Sequence, residues 1–174
     1  ENDGTPWHDS WSSNDAGAVD RNIWELTTGD VDGDGDVDII SVGDHNSASE
    51  IVVWENDGTP FSGTWSGNEF GTDTDDIKSA RSIDIGDLDL DGDLDLVVGC
   101  GSPSNQDYEL KLFQNDGTPH SGAWTQYDVG TSSGGIWSAR LGDFDHDGDL
   151  DIAAGSKYET DDEIIVWEND GTPF

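Results

Sequence analysis

Gly29-Asp30-Val31-Asp32-Gly33-Asp34-Gly35-Asp36-Val37-Asp38 runs directly into the apolar stretch Ile39-Ile40-Ser41-Val42. The pattern returns at Gly86 to Asp95, ahead of Leu96-Val97-Val98, and at Gly142 to Asp151, ahead of Ile152-Ala153-Ala154. Counted from its first aspartate, every copy has aspartate at positions 1, 3, 5 and 9 and glycine at position 6. The first copy supplies Asp30, Asp32, Asp34, Gly35 and Asp38, and the second Asp87, Asp89, Asp91, Gly92 and Asp95. The third supplies Asp143, Asp145, Asp147, Gly148 and Asp151.

Carboxylates crowded this closely repel one another, and an empty loop must take up protons or open. A hard divalent cation removes the conflict. Calcium accepts about six to eight oxygens in flexible geometry, so alternate side chains of a tight loop can converge on it. Glycine at position 6 permits the turn. Position 7, which is Asp36, Asp93 or Asp149, is expected to offer its backbone carbonyl, and position 9 a carboxylate. The reading is three calcium sites, one per repeat. An EF-hand is excluded, because it needs Glu at position 12 and that position here is Ser41, Val98 or Ala154. The flanking segments read as short β-rich strands rather than helices.

The loops recur at a period of 57 and then 56 residues, from Asp30 to Asp87 to Asp143. A second motif keeps the same period: Glu1-Asn-Asp-Gly-Thr-Pro6, Glu55 to Pro60, Gln114 to Pro119 and Glu168 to Pro173. Such a period means an array or a propeller. Approximate repeats are 7–60, 61–119 and 120–174. Each holds four strand candidates. The first precedes the loop (Ile23 to Thr27, Ser82 to Ile85, Ile136 to Leu141), and the second is the apolar run behind it. The third leads into the Asn-Asp-Gly turn (Glu50 to Trp54, Glu109 to Phe113, Glu163 to Trp167). The fourth leaves that turn around Trp11, Trp65 and Trp124. Asn and Gly tolerate positive φ and Pro ends a ladder, so Asn-Asp-Gly-Thr-Pro is expected to close a hairpin. No segment reads as a helix. The fold class is all-β: three four-stranded antiparallel blades of a β-propeller type.

Here the chain resembles the FG-GAP or VCBS repeat, the calcium-loop propeller blade also seen in integrin α-subunits. The Asp-x-Asp-x-Asp-Gly-x-x-Asp core matches in all three copies, Phe70-Gly71 precedes the second repeat's first strand, and Val98-Gly99-Cys100-Gly101-Ser102-Pro103 stands near the family's Gly-Ala-Pro. Ala16-Gly17 and Val129-Gly130 are weaker versions. The resemblance implies a β-propeller with calcium on its loops and a secreted or surface-exposed location. It implies no single activity, since such repeats occur in adhesion proteins, lectins and accessory parts of polysaccharide-degrading enzymes.

Composition narrows the partners. Formal charge is -34, from 40 acidic and 6 basic residues. Phosphate contact requires a basic surface, so nucleic acid is excluded as a partner, and anionic membrane surfaces are disfavoured likewise. Three dications offset only a small part of this charge. The excess fits adaptation to high salt or a soluble extracellular surface. Hydrophobic residues make up 32%, and with this charge that would suggest disorder. Eight tryptophans and regular apolar runs oppose it, provided that metal neutralises the loops. Cys100 is the one cysteine, so no disulfide forms within the chain. No apolar run is long enough to span a membrane. No methionine occurs, so the chain is expected to be a processed product or a piece of something longer.

The order of strands points to assembly. The chain opens on a fourth strand and closes on a third, so the last blade is expected to take its outer strand from the N-terminal segment or from a neighbour. Expected partners are other copies of the chain or further blades of a parent chain, with a glycan or a surface protein as ligand. Trp54, Trp167, Trp11, Trp65 and Trp124 conform to the repeat and read as packing between blades. Trp7 is the better candidate for an exposed ring. The histidines lack zinc-ligand spacing, and His146 is expected to face solvent. Gly130-Thr-Ser-Ser-Gly134 formally fits a nucleophile elbow but lacks its strand-to-helix context. Arg81 and Arg140 are expected to pair with carboxylates, and nothing singles out an acid pair for glycoside hydrolysis. No enzyme activity is expected.

Overall fold

The computed structural model describes residues 13–20, 22–44, 49–71, 77, 79–101, 109–131, 134–157 and 163–174. Eleven strands occur among them, and no helix. They are β1 (Asn22–Gly29), β2 (Asp38–Asp44), β3 (Ile51–Glu55), β4 (Ser66–Phe70), β5 (Ala80–Gly86), β6 (Asp95–Cys100), β7 (Glu109–Gln114), β8 (Thr125–Thr131), β9 (Gly135–Gly142), β10 (Asp151–Lys157) and β11 (Ile164–Trp167). The first two sheets are four-stranded antiparallel meanders, β1-β2-β3-β4 and β5-β6-β7-β8.

The expectation of three four-stranded blades needs correction. Among the described residues the third sheet has three strands, β9, β10 and β11. In the first two sheets the outer strand, β4 or β8, is the one that follows the Asn-Asp-Gly-Thr-Pro turn. The strand expected around Trp11 lies outside the described residues, as does Trp7. The sheets stack in chain order without closing into a ring among the described residues.

Two apolar cores join them. The first takes Ile40, Val42, Ile51 and Val53 from one side and Ala80, Ile83, Leu96 and Val98 from the other. The second takes Val97, Leu110 and Leu112 against Ile136, Ala139, Ile152 and Ala154. The middle sheet is therefore covered on both faces, and every residue of Asp95–Cys100 is buried. That accounts for its unbroken apolar run where a one-sided strand would alternate.

Positions in the acidic loops also serve as knobs. At position 2, Val31 enters the first core and Leu88 the second, while Phe144 is 53% exposed. At position 8, Leu94 packs back on the first core and Leu150 on the second, while Val37 is 54% exposed. Each loop thus sends one side chain forward and one backward, and the two terminal sheets leave theirs in solvent. Position 0 must be small where a sheet follows: a Cβ on Gly86 would lie 2.6 Å from Leu150 Cδ1 and 2.9 Å from Leu141 Cδ1.

Carboxylates stitch the first strands of successive sheets. Glu25 Oε2 accepts the Ile83 amide at 2.9 Å, and Glu25 Oε1 accepts Arg140 Nη2 at 2.5 Å. Asp84 Oδ2 accepts the Leu141 amide at 3.0 Å. The expected carboxylate partner of Arg140 is therefore Glu25. Lys111, buried in β7, reaches Asp128 on the rim at 2.5 Å.

The Gly86→Val variant should lose about 1–3 kcal/mol through overpacking. Gly142→Val should lose much less, because its Cβ would meet only the ring of exposed Phe144. Urea unfolding of both variants checks the contrast.

Candidate metal centres

Each loop bridges the first and second strands of its sheet, so strand pairing brings its two ends together. Gly29 faces Asp38 across β1 and β2, and Gly86 faces Asp95 across β5 and β6. Between those posts the backbone turns through left-handed conformations twice. Position 4 (Gly33, Leu90, His146) has φ of 74°, 60° and 66°, and position 6 (Gly35, Gly92, Gly148) has φ of 99°, 102° and 104°. A Cβ is tolerated at position 4, but near 100° only glycine is comfortable. His146 is exposed, as its place in the loop suggests.

Inside, the carboxylates fold onto the loop's own amides. Asp32 Oδ1 accepts the Asp34 amide at 3.2 Å, and Asp34 Oδ1 accepts the Asp36 amide at 2.8 Å. Asp30 Oδ2 accepts the Gly35 amide at 3.0 Å. The second loop repeats this with Asp89, Asp91 and Asp87. In the third, Asp145 and Asp147 hold the amides of Asp147 and Asp149.

One oxygen in each loop is left over. Asp30 Oδ1, Asp87 Oδ1 and Asp143 Oδ1 are buried and have no hydrogen-bond partner. Around them carboxylate oxygens converge: Asp30 with Asp32 and Asp34, Asp87 with Asp89 and Asp95, and Asp143 with Asp145 and Asp151, each set within 4.8 Å. An orphaned buried carboxylate oxygen is costly unless a cation meets it. The donors are all oxygen, which fits a hard divalent ion.

Not every expected ligand joins these sets. Asp38, Asp91 and Asp147 lie outside them. At position 7, where only the backbone carbonyl was expected to face an ion, the carboxylates of Asp36, Asp93 and Asp149 turn to the next motif, lying against Gly58, Gly117 and Gly171. Those glycines have φ near 80°: 82°, 79° and 82°. The Asn-Asp-Gly-Thr-Pro segment is thus less a tight hairpin than a plug seated on the loop.

Its asparagine was invisible as a site residue in the sequence. Asp38 takes the Val31 amide on Oδ2 (3.1 Å) and the Asn56 amide on Oδ1 (2.9 Å). Asp95 takes Leu88 (3.0 Å) and Asn115 (2.9 Å), and Asp151 takes Phe144 (3.0 Å) and Asn169 (2.9 Å). The asparagine side chains then reach across sheets: Asn115 Nδ2 donates to Val31 O at 2.9 Å, and Asn169 Nδ2 to Leu88 O at 3.1 Å. The exact recurrence of Asn at this spacing was the one available signal.

Burial raises the Asp38 carboxyl above its ordinary range, against the pull of the Asn56 and Val31 amides. Asp95 is pushed up to about 6, again chiefly by burial. Asp93 and Asp149 are also raised, by desolvation and by neighbouring loop carboxylates.

A second polar group lies on the opposite side, at the starts of the first strands. Pairing slips by one residue between Ile23 and Glu25, between Ala80 and Ser82, and beside Gly155 and Ser156. The extra residues are Trp24, Arg81 and Trp137. Arg81 lies 4.1 Å from the Trp24 ring centroid and 5.2 Å from that of Trp137, and Lys157 lies 4.9 Å from Trp137. Both rings are 48% exposed. The repeat-conforming rings pack instead: Trp124 stacks on Phe70 at 5.2 Å, and Trp54 Nε1 bonds Ser41 Oγ at 3.0 Å.

Stacked antiparallel meanders, each with an acidic loop between its first two strands, define a blade-type repeat protein with a cation-ready loop per blade. The family comparison agrees: the FG-GAP-like repeat model matches residues 30–98 and 87–154, and the chain belongs to that family. No curated protein matches it in sequence. No helix among the described residues is long and apolar enough to cross a membrane.

The sign of the pH effect follows from Asp95. Its folded value of about 6 exceeds the unfolded ~3.9, so the metal-free fold binds the extra proton and loses stability as pH rises between those values. A cation needs the ionised form. The gain in Tm on adding calcium should therefore be small near pH 5 and grow through pH 6 to 7.5. Thermal melts with calcium and with chelator check this, and a pH-independent gap would contradict it.

Proposed function

We propose that this chain is a calcium-binding β-propeller-type repeat segment of an extracellular or cell-surface protein, acting through structural or adhesive interaction. Calcium is the reading best supported at the loops, because it suits an all-oxygen donor set and the loop spacing of the family. In this reading the module works by binding and not by catalysis.

The observation that carries the interaction reading is the pair of unfilled blade faces. One terminal sheet exposes Ile23, Leu26 and Val37, and the other exposes Phe144, Ile164 and Val166. Val37 and Phe144 occupy the positions that Leu94 and Val31 fill inside the stack. The two ends are therefore the two halves of the internal blade–blade interface. Head-to-tail docking with a second copy of the chain would repeat a contact the protein already makes. A heterologous contact of this kind builds rings or open arrays.

Light scattering in millimolar calcium tests it. A multiple of the chain mass is expected, and Phe144→Lys should return it to one chain mass. A single-chain mass for the unmodified protein at tens of micromolar overturns self-association.

Glycan binding is the second reading, supported by the half-exposed Trp24 and Trp137 beside Arg81 and Lys157. Aromatic faces and edges offer apolar surface to sugar rings, and cations would favour acidic sugars. Saturable binding to an acidic-glycan panel, lost on Trp137→Ala, is the expected outcome, and unchanged binding in that variant would refute it.

A further inference from the structure

We propose that the first loop carries a second divalent-cation site, of transition-metal character, formed by His120, Asp32 and Asp38. His120 follows the Asn-Asp-Gly-Thr-Pro plug of the next repeat, which lays it over the first loop. Its Nε2 stands 3.5 Å from Asp32 Oδ2 and 3.9 Å from Asp38 Oδ2. One donor atom from each residue lies within 4.8 Å of the others.

The bland explanation is an imidazolium paired with two carboxylates. The hydrogen bonding opposes it. Both His120 ring nitrogens are buried and neither has a hydrogen-bond partner, whereas a buried imidazolium would donate from both. Donors bound at about 2.0–2.1 Å to a tetrahedral ion stand roughly 3.4 Å apart, close to the observed separations. Asp32 Oδ2 is free to turn that way, because Oδ1 takes the Asp34 amide.

Comparison within the chain isolates the feature. The residue equivalent to His120 after the third plug is Phe174, whose ring lies tilted against Tyr127 at 4.9 Å and packs on the second core. Tyr127 stands opposite Leu112, as Asn68 stands opposite Val53. Asn68 donates to Pro119 O at 2.9 Å, directly before His120. An aromatic pair thus fills the slot between sheets two and three, and a polar pair fills it between sheets one and two. Packing alone is met by the aromatic version. The loop carboxylates differ to match. Asp95 and Asp151 group with their own loops, whereas Asp38 groups with Asp32 and His120, and Asp30 and Asp34 group separately with Asp32. Asp32 is common to both sets and would bridge two cations. Imidazole beside carboxylate favours zinc, cobalt or nickel over calcium.

The test titrates Co2+ into the calcium-saturated protein and follows visible absorption, with bound calcium measured on the same samples. One equivalent of Co2+ should bind with ligand-field bands, be displaced by Zn2+, and leave calcium in place. His120→Phe, which copies the neighbouring slot, and His120→Gln should each weaken Co2+ by on the order of 100-fold and keep the calcium stoichiometry. Identical Co2+ titrations in the unmodified protein and both variants would overturn the site, as would Co2+ entering only by releasing calcium. Loss of calcium binding itself would appear separately, in the calcium measurement.

Discussion

The closing aspartate of each loop is the joint on which the fold depends. Asp38, Asp95 and Asp151 are at most 2% exposed, and each spends its two oxygens on amides from two different segments. One amide belongs to the loop itself and the other to the asparagine of the plug. That asparagine, in the second and third sheets, hands the connection on to the loop of the sheet before. A buried carboxylate with two amide donors is still a buried charge, and at Asp38 and Asp95 burial raises the pKa despite the amides, which do not fully compensate for lost water. In the calcium reading proposed above, a cation beside it would supply the remainder. On that reading metal binding, plug seating and blade stacking form one coupled equilibrium.

On that reading, the coupling lets so acidic a chain pack its sheets together. The apolar content is low, but it is concentrated in two inter-sheet layers, where the middle sheet is buried on both faces. The acids are placed at the loops and rims. Several also carry structure: Glu25 and Asp84 replace the missing backbone ladder between neighbouring first strands. Because the same contacts recur from sheet to sheet, the stack is quasi-one-dimensional, and its two outer sheet faces carry the two halves of the internal interface.

Much of this was legible in the sequence. The aspartate register, the period, the strand order and the all-β class follow from spacing alone, and the packing role of Trp54 and Trp124 follows from their recurrence. What escaped was everything set by contacts between repeats. Asn56, Asn115 and Asn169 read as turn formers, because nothing local says that their amides meet an aspartate some eighteen to twenty residues upstream. Trp24, Arg81 and Trp137 escaped because a bulge is a property of two strands, and the pairing slip that turns them outward has no one-strand signature. His120 looked scattered because its companions lie in the preceding repeat. The repeat count suggested four strands in every blade, whereas the described residues give the third sheet three, and the N-terminal segment expected to complete it lies outside them.

The central claim is that the cation, the closing aspartate and the asparagine plug form one unit. Amide hydrogen exchange at Asn56, Asn115 and Asn169, measured with calcium and with chelator, tests it most directly. The account predicts strong protection in calcium and a joint loss of protection at all three amides, together with Val31 and Leu88, when calcium is removed. Unchanged protection at the asparagines in chelator would contradict it, and would mean that the plug is held by the polypeptide alone.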